Sequence, residues 1–220
     1  MKKTAYPARY IDDLGEEIVQ IWNDGKELTV EIRGVQFYGP NFDSLEPTGN
    51  PSPELLDKFT LYLSQDLCNC KILCDIPITL ILGSEKISSI LTMNLVLGKP
   101  DPPRGIDKED LMLELKYKDK KIVSFGKSGW FEDELLDLQR KLPINAYLLC
   151  CFNCAFSDYH PVGHGLFGSM MCFRDNRENY FTVKTKADFF AIEGSMTELV
   201  QEIYSCPEFH KRIPGTGYRG

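Results

Sequence analysis

Cys151, Cys154, Cys172 and Cys206 are the residues whose type and spacing could do chemistry. Cys151 and Cys154 enclose two residues, and a turn of that length can bring both sulfurs within the ~2.3 Å bonding distance of one tetrahedral zinc. The second pair must arrive from elsewhere: Cys172 from a short strand, Cys206 from a helix end. A zinc held by all four would be closed, and its binding energy would be folding energy rather than catalytic power. Ordinary core thiols are the competing reading. His160 and His164 are alternative ligands, but they sit in the loop Tyr159–Gly165, where a spacing of four gives no facing geometry. Hydrogen bonding is the plainer role for both, and for His210 near Cys206. Arg174 is expected to brace the metal loop through Asp158 or Asp188, around the first ligand shell rather than in it.

Other chemistries find less support. A thioredoxin-type C-x2-C needs a helix N-terminus to stabilise its thiolate, and the residues after Cys154 do not continue as a helix. Zinc deaminases call for H-x-E and P-C-x-x-C elements, and neither occurs; nor does a G-x-S-x-G, P-loop or Rossmann fingerprint. Cys154 with His160 or His164 leaves cysteine–histidine catalysis open, without an orienting third residue; no catalytic residue is assigned. Cys68, Cys70 and Cys74 alternate with Ile72, Ile76, Ile78 and Leu80 along one strand face, where thiols act as small core hydrophobes. Cys150 points away from Cys151 and should be core as well.

These residues must be positioned by a strand-rich scaffold. Glu17–Trp22 and Glu27–Phe37 flank an Asn-Asp-Gly-Lys turn, and the parity change at Gly34 suggests a bulge. Strands follow at Phe59–Leu63, Leu67–Leu82 and Ile87–Leu97, then a hairpin Leu111–Tyr117/Lys121–Phe125. The proline-rich stretches Gly39–Pro53 and Gly98–Gly105 read as loops. Phe131, Leu135, Leu138 and Leu142 recur at helical spacing, with acids in the first turn, Arg140 and Lys141 in the last and Pro143 as the stop. Beyond lie a strand Ala146–Phe152, short strands at Ser169–Arg174, Tyr180–Val183 and Phe189–Ile192, and a second helix opening at Ser195 and Glu198. The fold class is α+β: an antiparallel β-rich meander or sandwich over residues 1–128, then a smaller cysteine-braced region over 129–220 with two amphipathic helices, packed on the first as one unit.

Apolar residues make up 43% of the chain and charged residues 26%, ordinary for a globular protein. The beginning of the chain has no apolar stretch of a signal peptide, and no run reaches the roughly 18 apolar residues of a membrane span, so a cytoplasmic protein without membrane association is expected. Eight cysteines are then expected as thiols or thiolate ligands. Net charge is −7, and residues 141–220 balance eight basic against eight acidic groups, so the excess belongs to the first part. Such a surface disfavours nucleic acid and suits a basic protein partner. Oligomeric state is not legible.

Taken together, Cys151-Phe152-Asn153-Cys154-Ala155-Phe156-Ser157-Asp158-Tyr159, Gly168-Ser169-Met170-Met171-Cys172-Phe173-Arg174, Cys206-Pro207-Glu208-Phe209 and Gly215-Thr216-Gly217-Tyr218-Arg219-Gly220 resemble an uncharacterised bacterial family of small cytosolic proteins. The resemblance covers residues 151–220. It implies a zinc set at the same four cysteines, implies no reaction, and carries a loose association with toxin and immunity neighbourhoods. The function expected is a non-catalytic, zinc-stabilised interaction protein that neutralises a basic toxin, with Tyr38 and Phe42 as loop anchors. The alternatives are a metal- or thiol-dependent hydrolase and a structural subunit of a larger assembly. The carboxy-terminal tail is expected to lie back over the C-x2-C turn.

Overall fold

The computed structural model describes residues 3–63, 65–163 and 165–218. Its strands are β1 (Thr4–Asp12), β2 (Gly15–Asn23), β3 (Leu28–Ile32), β4 (Val35–Gly39) and β5 (Glu46–Pro47), then α1 (Pro53–Leu56) and β6 (Thr60–Tyr62), β7 (Asp66–Cys68), β8 (Cys70–Leu82), β9 (Glu85–Leu97), β10 (Glu109–Tyr117) and β11 (Lys120–Val123). There follow α2 (Phe131–Lys141), β12 (Ala146–Leu148), β13 (Ser157–Asp158), β14 (Met170–Cys172), α3 (Arg177–Thr182), α4 (Lys186–Ile192) and β15 (Glu198–Val200). The fold is α+β and built on antiparallel sheets. Ten strands form one sheet in the order β11-β10-β9-β8-β1-β2-β3-β4-β5, and β12 joins β8 on the edge that β1 also uses. A second sheet, β13-β14-β15, carries the carboxy-terminal part. No helix among the described residues is long and apolar enough to cross a membrane.

Alternation makes the large sheet two-sided. Cys70, Ile72, Cys74, Ile76, Ile78 and Leu80 of β8 are buried beside Leu97, Leu95, Met93, Leu91 and Ile87 of β9, while the intervening residues face outward. The cysteines of this row are core, as is Cys68 on β7, and burial pushes the Cys70 thiol up to about 12. Helix α2 packs on β10 and buries Phe131, Leu135 and Leu138. Phe42 is wholly buried, its ring 5.1 Å from Phe167, so it fills the core and is not an exposed anchor.

The outward face carries apolar side chains of a different kind. Trp22 lies across from Ala5 and Thr29, and Thr29 across from Tyr38, so these residues form one row over β1 to β4. Ile18 stands on the same face of β2. Ile18 is 84% exposed, Trp22 39% and Tyr38 43%.

Several sequence expectations are corrected. Thr4–Asp12, to which the sequence reading assigned no element, is a central strand with Tyr6, Ala8 and Tyr10 buried in alternation. Gly34 is not a bulge: Ile32 pairs with Val35, and Arg33 and Gly34 take φ of 48° and 79°, which makes a two-residue hairpin turn and resets the parity. Tyr180–Val183 and Phe189–Ile192 are not strands, since they fall on α3 and α4, and the capping box is Thr185 with Asp188. The helix expected from Ser195 is absent. Glu198 there pairs with Cys172 across two strands and its carboxylate meets Arg174 at 2.6 Å, so the chain is held extended.

The loop into α2 is tied by a buried carboxylate. Glu134 accepts the N–H groups of Gly126 (2.8 Å), Lys127 (3.1 Å) and Ser128 (3.1 Å) and the Ser128 hydroxyl (2.7 Å). Burial opposes its ionisation, but hydrogen bonds from Ser124, Ser128 and Gly126 outweigh it and hold the carboxyl below its usual range. Glu134→Gln is therefore expected to cost about 1.5–3 kcal/mol at neutral pH, the range for hydrogen bonds to a charged group. Because the folded-state value is depressed, the contribution is present above the ordinary value of ~4.3 and is lost as pH falls through the folded value. Denaturant unfolding of both forms at pH 7 and near pH 3 checks this: the gap between them should narrow in acid.

A cysteine corner as candidate functional site

Backbone hydrogen bonds collect the four cysteines. Cys151–Asn153 form a single 3-10 turn in which the Cys154 N–H donates to the Cys151 carbonyl at 2.9 Å. The turn is held to the chain's end: Cys151 N–H donates to Tyr204 O (2.8 Å), Ala155 N–H to His210 O (2.7 Å) and Arg212 N–H to Asn153 O (2.9 Å). Strand β13 then brings Ser157 opposite Cys172, and the Thr197 N–H donates to the Cys172 carbonyl at 2.8 Å. Cys206 lies in an irregular segment, not on a helix, and its Sγ accepts the Glu208 N–H at 3.3 Å.

Cys151, Cys154 and Cys172 are buried, Cys206 is partly exposed, and all four are free thiols. Burial pushes the Cys151 thiol far up, and the neighbouring Cys154, Cys150, Cys206 and Cys172 add to it, so the four expected ligands share one electrostatic neighbourhood. Burial also raises Cys172, against the opposing pull of Arg174. Sharing a neighbourhood is not sharing a centre. Among the described residues, no three Cys, His, Asp or Glu side chains are grouped so as to hold a metal ion.

The surrounding residues sort differently from their sequence reading. Arg174 meets neither Asp158 nor Asp188; it pairs with Glu198 (2.6 Å) and Glu208 (3.6 Å) and approaches Cys172 Sγ at 3.8 Å. Asp158 is buried and accepts the Tyr180 hydroxyl at 2.8 Å, while Asp188 caps α4. His160 contacts Glu193 at 3.0 Å, with its ring against Phe189 and Phe190. His164 lies outside the described residues. The tail does dock, but on the Tyr180–Phe189 cluster: a Cβ on Gly217 would overlap the Tyr180 hydroxyl, and the Tyr218 ring lies 5.7 Å from Phe189.

A family model described as a family of unknown function, DUF6304, matches residues 4–157. The chain belongs to that family. The match runs from β1 through the C-x2-C turn and ends before Cys172 and Cys206. No curated protein and no solved structure matches.

Sequence reading missed polar groups with no motif. Tyr6, Asn23 and Gln201 form a buried hydrogen-bonded set with sequence separations of 17 and 178 residues. Asp43 and Glu109 line a cavity of about 290 Å³ beside Trp130, and burial together with Asp43 pushes Glu109 up to about 7. Only a polar residue in an otherwise apolar alternation, such as Asn23 after Val19 and Ile21, could have signalled one of them.

Arg174 is the electrostatic tie of the cysteine corner. Arg174→Ala is expected to cost roughly 1–3 kcal/mol, because it strands Glu198 and removes the charge beside Cys172. Arg174→Lys should recover only part, lacking the planar fork; equilibrium unfolding of the three forms measures both.

Proposed function

We propose that this protein is a non-catalytic interaction protein of the cytoplasm that binds a basic protein partner through the outward face of β1 to β4, acting in the specific case as an immunity protein against a basic toxin. The observation that carries this reading is the exposed row of Trp22 and Tyr38 with Ile18 beside it. Exposed apolar groups gathered on one face can mark an interaction site, and Trp and Tyr are residues that anchor interfaces. Charge selects the partner: residues 3–47 hold nine acidic and four basic side chains, so steering favours a positive surface. That none of the eight cysteines is joined in a disulfide suits a reducing compartment.

Affinity capture with the native chain and with Ile18→Asp/Trp22→Ala tests this. A basic protein should be retained by the native form, release with rising salt, and bind the variant at least about 30-fold more weakly, as loss of a central anchor implies. Equal retention by both forms, or an acidic partner, overturns the reading.

Zinc on Cys151, Cys154, Cys172 and Cys206 is the brace that goes with this proposal. Its support is the convergence of four free thiols from three segments, three of them buried, with one sulfur already accepting a backbone N–H. Binding requires the thiols to lose their protons, which a divalent cation drives. Native mass spectrometry should then find one zinc per chain, absent from Cys154→Ser, with Cys206 shielded from alkylation until a chelator is added. A metal-free chain whose Cys206 alkylates at once rejects the brace and leaves the binding face untouched.

A further inference from the structure

Strand β1 is paired with β8 only from Ala8 onward, and β12 takes up the same edge of β8 at Leu80. Pro7 and Pro77 stand at the gap, each removing a ladder donor. The segment after β15 faces this gap, and a cavity of about 350 Å³ remains, with Tyr6, Asn23, Asp24 and Pro77 on one side and Gln201 and Tyr204 on the other. That volume lies within the range of small-molecule sites.

The polar groups of its wall are oriented by one another. Asn23 Oδ1 accepts the Gly25 N–H at 2.7 Å, which sets the direction of the Asn23 amide. Its Nδ2 then donates to the Tyr6 hydroxyl oxygen at 2.8 Å and to Gln201 Oε1 at 2.6 Å. Gln201 is thereby oriented too, and its Nε2 is left buried without an acceptor. The Tyr6 hydroxyl already accepts, so its own proton is available; burial pushes its pKa up to about 12 against the opposing hydrogen bond from Asn23, and it stays protonated at neutral pH. All three side chains are more than nine-tenths buried, at 6%, 4% and 2% exposure for Tyr6, Asn23 and Gln201. Buried donors without acceptors are rare and costly, and they point to a group that the protein alone does not supply. Asp24 adds a carboxylate whose Oδ1 accepts the Lys26 and Glu27 N–H groups, which holds it ionised.

We propose that this cavity binds a small ligand of the amino acid or short-peptide class, whose carbonyl or carboxylate oxygen accepts from Gln201 Nε2 and Tyr6 Oη and whose ammonium or N–H group faces Asp24. The site is separate from the outward sheet face and does not rest on it. Pro77 and the Tyr204 ring supply the apolar wall.

The test is side-chain amide NMR on the full chain, titrated with glycinamide, with acetamide, which lacks the ammonium, and with ethylamine, which lacks the carbonyl. Glycinamide should shift the Gln201 Nε2 protons saturably and more tightly than acetamide, and ethylamine should leave them unmoved. Tyr6→Phe, which keeps the ring, should weaken glycinamide about tenfold, as loss of one hydrogen bond implies. Asp24→Asn should erase the preference of glycinamide over acetamide. If no probe moves the Gln201 protons at millimolar concentration and they exchange magnetisation only with water, the cavity is a hydration site and the proposal fails. An equal response to ethylamine fails it as well.

Discussion

Thirteen consecutive residue pairs join β8 to β9, from Cys70 with Leu97 to Leu82 with Glu85. With that edge occupied, the opposite edge of β8 must serve two strands from distant parts of the chain, β1 near its beginning and β12 after the long helix. Backbone groups removed from water need partners, so both attachments are enforced by the same hydrogen-bonding requirement. The cysteine turn follows β12 directly and the polar cavity lies in the interval between the two attachments. Both features are consequences of how one strand edge is shared.

The carboxy-terminal part is held by polar ties more than by apolar mass. Glu202 is buried and accepts from the Tyr159 hydroxyl and the Gly168 N–H, and Asp158, Tyr180 and Arg212 form a connected set with the Ser157 carbonyl. Such networks stabilise when every member is satisfied and are costly when one is removed. The backbone bonds to Tyr204, His210 and Arg212 position the turn, and Arg174 between Glu198, Glu208 and Cys172 offsets the local charge. In this arrangement burial favours neutral thiols at Cys151 and Cys172, and a bound cation would have to overcome that preference.

Local patterning reached the large sheet and its main helix and stopped there. Cys70, Ile72, Cys74 and Ile76 could be placed on one buried face because a period of two needs only near neighbours, and α2 could be placed because its apolar stripe, terminal charges and Pro143 agree. Residues 177–200 were misread for the opposite reason. Ser195 and Glu198 have the spacing of a helix start, but Glu198 is taken by Arg174 from another strand, and a long-range ion pair leaves no trace in local sequence. Tyr6, Ala8 and Tyr10 alternate in the first strand, but Pro7 interrupts the ladder there, and only the departure of β8 from that residue lets the strand be central.

By itself, the order of residues determined an antiparallel α+β protein with apolar strand faces, one amphipathic helix and a group of cysteines near its end, because side-chain periodicity and helix-end chemistry are properties of adjacent residues. Tertiary structure alone decided that those four thiols share one electrostatic neighbourhood, that Trp22 and Tyr38 stand in one open row, and that Gln201 gives its amide oxygen to Asn23 and leaves its amide nitrogen without an acceptor. Each of these depends on register between segments far apart in the chain. A shift of one residue would turn every side chain to the other face of its sheet, and no local pattern records that choice.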